Sequence, residues 1–153
     1  MPEKLNFLKP TTLKGLEFFI AHPTAEYHER EVLRSAGISK GSANKILREL
    51  ASLSILGRAE KGRMVFYRLN MGDPFVKQLK VLWNVWALRP FIEGLKETAK
   101  KAILFGSCAE GTDGPESDID VLILTDDRET VKKTVSTFNR SGARQLAPII
   151  VDF

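Results

Sequence analysis

The spacing of apolar residues changes period several times along this chain, and each change predicts a new element. Leu13, Leu16, Phe19 and Ile20 recur at helical spacing and predict a first helix. His28 to Ala36 predicts a short second helix with Val32, Leu33 and Ala36 inward. Gly37-Ile38-Ser39 reads as a tight turn, and Ser39 as the N-cap of a third helix from about Lys40 to Leu53. Its apolar positions, Ala43, Ile46, Leu47, Leu50 and Leu53, follow the i, i+3, i+4, i+7 rule. Its opposite face carries Lys40, Ser42, Asn44, Lys45 and Arg48. The period then falls to two. Residues 57–60 and 64–69 predict a hairpin turning at Lys61-Gly62-Arg63.

Residues 73–99 read as a long amphipathic helical region bent at Pro90. Val76, Leu79, Leu82, Trp83 and Trp86 give it a broad apolar face, with the two tryptophans expected in core or interface. Beyond it come a strand at 102–105, a short helix from Ser107, a strand at 119–124, a helix at 128–141 and a strand at 146–153. A boundary between Asn70 and Pro74 gives domains 1–71 and 72–153, with the long helix packing under the sheet of the second. The fold class expected is α+β.

Composition narrows the function. The 153 residues contain one cysteine, which excludes an internal disulfide and a cysteine zinc cluster. Both histidines, His22 and His28, lie near the N-terminus and read as ordinary turn and helix-start residues. No apolar run approaches the roughly 18 residues of a membrane span, and Met1-Pro2-Glu3-Lys4 lacks the apolar core of a signal peptide. A cytoplasmic location is the simplest expectation. The net charge of +4 is uneven: residues 1–100 hold 17 Lys and Arg against 10 Asp and Glu, and residues 101–153 hold 6 against 9. A basic front able to meet a polyanion and an acidic back point to two functional units.

The acidic back carries the densest chemistry. Gly106-Ser107 follows the apolar run Ala102-Ile103-Leu104-Phe105, and after ten intervening residues Asp118 and Asp120 open the run Val121-Leu122-Ile123-Leu124. On an extended chain i and i+2 share a face, about 6–7 Å apart, where two carboxylates repel unless a cation sits between them. Oxygen-only donors suit Mg²⁺ or Mn²⁺ rather than Zn²⁺. A small-residue turn can offer backbone N–H groups to a phosphate. Together they point to a site for a metal–nucleoside triphosphate.

Gly106-Ser107, ten intervening residues and Asp118-Ile119-Asp120 resemble the signature of the DNA polymerase beta-type nucleotidyltransferases, especially the minimal nucleotidyltransferases paired with HEPN-domain toxins. The resemblance covers roughly the last 55 residues and implies a mixed sheet flanked by helices. It implies transfer of a nucleoside monophosphate, AMP from ATP or its equivalent from another NTP, to an acceptor hydroxyl, including one on a HEPN-type partner protein. In that reading Asp118 and Asp120 bridge two Mg²⁺ ions, and Gly106 and Ser107 hold the outgoing phosphates. The family's third carboxylate falls on Asp152, within Leu146 to Phe153, as ligand to the catalytic metal. The resembled family continues into a further helix where this chain ends.

The stretch from Glu29 to Asn70 resembles the winged helix-turn-helix domains of transcription regulators. That implies double-stranded DNA as partner, with Lys40, Ser42, Asn44, Lys45 and Arg48 in a major groove and Arg63 at the wing tip. A homodimer is compatible with this arrangement. Cys108, with no histidine base near it in sequence, reads as a small packing residue. The alternative reading is a DNA-binding regulator whose second domain only senses nucleotide or mediates assembly.

Overall fold

The structure is a computed structural model that describes residue 5 and residues 7–153. It divides into two compact units, Met1–Val76 and Lys77–Phe153.

In the first unit, helix α1 (Pro10–Ala21) begins with a proline, whose missing N–H costs nothing in a first turn. It buries Leu16 and Phe19. A two-residue strand β1 (Tyr27–His28), which the periodicity does not show, pairs antiparallel with a later strand. Helix α2 (Glu29–Ala36) opens with a capping box. The Arg30 N–H donates to His28 Nδ1, and the His28 N–H donates to Glu31 Oε2 at 2.7 Å. His28 is thus the helix-start residue expected of it. Helix α3 (Lys40–Ser52) has Ser39 as N-cap and buries Ala43, Ile46, Leu47 and Leu50, while Leu53 lies outside it and is exposed. Strands β2 (Leu56–Lys61) and β3 (Met64–Leu69) form the expected hairpin, with Gly62 at φ +63° in the turn. The sheet order is β1-β3-β2.

Helix α4 (Pro74–Ala87) crosses the division between the units, and α5 (Arg89–Leu95) follows after Leu88. The region expected as one bent helix is therefore two. Pro90 sits in the first turn of α5, where its fixed φ is tolerated, and residues 96–98 are a turn. Nor do both tryptophans join a core: Trp83 is half-buried, and Trp86 is 65% exposed with the Arg89 guanidinium 4.7 Å from its ring centre.

The second unit continues with β4 (Ala99–Phe105), α6 (Ser107–Glu110), β5 (Ile119–Thr125), α7 (Arg128–Ser141) and β6 (Leu146–Asp152). Its sheet has the order β4-β5-β6, with β5 antiparallel to β4 and parallel to β6. Such a parallel pair needs a crossover, and α7 supplies it. Ile119, Val121 and Ile123 alternate onto one face and pack with Leu88, Phe91 and Leu95 of the α5 segment and Val131 and Val135 of α7. The in-between positions, Asp120, Leu122 and Leu124, take the other face of the sheet and are half-buried. The whole is α+β. Among the described residues no helix is long and apolar enough to cross a membrane.

Candidate functional site

Strand β4 delivers its last residue, Phe105, opposite Asp120, so the turn that follows it lies beside the start of β5. Gly106 is in that turn at φ +68°, ψ −156°, a conformation open almost only to glycine. A Cβ there would also collide with Asp120 Oδ2. The glycine of the motif is thus explained twice, by its backbone and by the carboxylate lying against it. The Gly106 carbonyl accepts the Ala109 and Glu110 N–H groups and starts the single turn of α6. First-turn N–H groups, here those of Ser107 and Cys108, have no acceptor inside a helix.

Asp118 is exposed and Asp120 half-buried. Neither makes an ion pair among the described residues, although the chain pairs many of its other carboxylates. The structure therefore brings together four of the five residues expected at this site: Gly106, Ser107, Asp118 and Asp120.

Asp152, expected as the third ligand, is not among them. Because β6 runs parallel to β5, Ala147 stands beside Asp120, and Asp152 stands beside Thr125 at the far end of the sheet. Five residues of strand put it about 16 Å from Asp120 along the strand direction. Its carboxylate instead accepts from Arg128 Nη1 at 2.9 Å. No group of three or more His, Cys, Asp or Glu side chains able to hold a metal occurs among the described residues. The donors present fit one hard cation held by two aspartates. They do not fit a second ion that relies on Asp152.

Beneath the site lies a buried polar cluster that the sequence reading missed. Asp113 receives Lys80 Nζ at 3.3 Å, Asn84 Nδ2 at 3.0 Å and Arg144 Nη1 at 3.1 Å. Asn84 also donates to the Cys108 carbonyl. Lys80 and Asp113 are almost fully buried. The one hint was Lys80 and Asn84, four apart on α4 in and beside its apolar stripe. Asp113, between Thr112 and Gly114, reads as an ordinary turn residue. Arg144 is far away in sequence and carries no signal. Cys108 is buried in the core, as expected of a packing residue. Burial pushes its thiol pKa up, against the opposing pull of Arg144, so it stays S–H and can donate to the Asp118 carbonyl at 3.5 Å.

In the first unit, Lys40, Lys45, Arg48 and Arg63 are exposed, and none of the four forms an ion pair among the described residues. Two of the polar residues expected beside them are engaged at home. Asn44 Nδ2 donates to Glu29 Oε2 at 3.0 Å, tying α3 to α2, and Ser42 bonds to the N-cap Ser39. The polar face is thus narrower than its sequence implies.

Residues 88–152 match the family model described as Nucleotidyltransferase domain. This supports nucleotidyl transfer as the general activity of the second unit. The chain has no significant match among curated proteins or solved structures.

Proposed function

We propose that the nucleotidyltransferase domain binds a nucleoside triphosphate with one divalent cation at the junction of β4, α6 and β5 and transfers its nucleoside monophosphate, AMP from ATP, to an acceptor hydroxyl: the acceptor oxygen bonds to the α-phosphorus, the bond from that phosphorus to the β-phosphate bridge breaks, and pyrophosphate and the hydroxyl proton leave. The observation that carries this reading is the pair Asp118 and Asp120, left without a cation partner among the described residues and set beside a glycine turn. Asp120 rests against Gly106, so its carboxylate is pre-oriented. Asp118 lies two residues before it, just ahead of β5. The N–H groups of Ser107 and Cys108 offer donors for phosphate oxygens. Bound Mg²⁺ or Mn²⁺ would supply charge neutralisation for the phosphates. No role in activating the acceptor is given to Asp152.

The test is the stability gained from ligand. Mn²⁺ with ATP at 100 times its Kd stabilises a native state by about 2.7 kcal/mol. Asp118→Asn with Asp120→Asn should abolish the shift in melting temperature. A shift retained in the double variant overturns the proposal.

A second reading is favoured by Ala147, which occupies the register position beside Asp120 where a third carboxylate could stand. It makes the second unit a nucleotide sensor attached to a DNA-binding winged helix. Lys40, Lys45, Arg48 and Arg63, exposed and without an ion pair among the described residues, support the DNA half of that reading. Binding to duplex should fall linearly in log–log with salt, and removing a phosphate contact, as in Arg63→Ala, should lower the slope by about 1. Absence of duplex binding at low salt removes the regulator reading.

A further inference from the structure

Asp118 is held by its backbone on every side. The Ser117 carbonyl, just before it, accepts from Arg144 Nε at 3.2 Å and Nη2 at 3.1 Å. Its own carbonyl accepts from the Cys108 thiol. The Ile119 N–H, just after it, donates to the Gln145 carbonyl at 2.8 Å. Three of these four bonds come from residues 144 and 145, in the connection between α7 and β6. Arg144 is itself fixed by Asp113 Oδ2 and Asn84 Oδ1, both at 3.1 Å.

A planar guanidinium with five donors can serve all these acceptors at once, whereas a lysine ammonium presents one point charge on a flexible stem. Burial of the cluster makes each unmet acceptor costly. The connection before β6 therefore fixes the backbone from which the Asp118 side chain projects.

From this clamp we infer that Arg144 is a positioning residue for the metal–nucleotide site: it acts through the Ser117–Asp118 peptide and touches neither metal nor nucleotide. The inference rests on the site reading proposed above. Residues that orient a metal ligand from outside typically change metal affinity about 10- to 100-fold when altered.

Arg144→Lys keeps the charge facing Asp113 but cannot span Ser117 and Asn84 together. It should weaken Mn²⁺·ATP binding about 10- to 100-fold, measured by calorimetry on the folded full chain. Ile123→Val, a substitution in the buried core away from the clamp, should lower the melting temperature and leave that affinity unchanged. Equal affinity in Arg144→Lys and wild type overturns the inference, as does a matching loss in Ile123→Val, which would make the effect one of general stability. Wild type that binds no Mn²⁺·ATP overturns the site reading itself and the inference with it. In wild type the Ile119 amide should exchange slowly with solvent. Rapid exchange there overturns the clamp even if neither Arg144→Lys nor Arg144→Gln folds.

Discussion

The two ends of β5 both carry carboxylates, and they are built in opposite ways. At the C-terminal end, Asp126 meets Lys100 at 2.6 Å and Asp152 meets Arg128 at 2.9 Å. All four side chains are well exposed, so these pairs are screened and contribute little. At the N-terminal end, Asp118 and Asp120 make no ion pair among the described residues, while Lys80 and Arg144 pair with Asp113 beneath them. The far end neutralises its own charge. The near end keeps two carboxylates uncompensated and uses its cations to fix the scaffold. An uncompensated pair held by a rigid frame is what a divalent cation needs, and a self-paired aspartate is not.

Gly106→Ala should break this asymmetry most severely. Alanine at that backbone conformation costs about 1–3 kcal/mol, and its Cβ would displace the Asp120 carboxylate. Both the melting temperature and the Mn²⁺·ATP shift should fall, and retention of the ligand shift would show that Asp120 need not rest on the turn.

Asp152→Asn probes the other end and should do least. Stability should change by less than about 1 kcal/mol, with Mn²⁺·ATP affinity unchanged by calorimetry. A large loss of affinity would mean that the two ends act together and would undo the comparison.

The positions of the two aspartates were legible because their spacing is local. A glycine turn after one apolar run and an i,i+2 pair before the next need only the knowledge that both runs are strands. The same holds for the Ser39 cap, the α3 core positions and the β2–β3 hairpin, each set by residues within a few places of one another. Where the reading went wrong, the deciding contact was remote. Asp152 follows an apolar run as plausibly as Asp120 precedes one, and only the parallel pairing of β6 puts it at the far end of the sheet.

The sequence by itself determined most of the helices and strands and the Gly106–Asp120 motif. These follow from backbone preference and side-chain periodicity, which act over a few residues. Tertiary structure decided strand direction, and with it which carboxylates share an end of the sheet. It also decided the partnership of Lys80, Asn84, Asp113 and Arg144, drawn from three separate stretches of chain. Burial makes a charge seek a partner wherever the fold brings one, so that partner cannot be read from its neighbours in sequence.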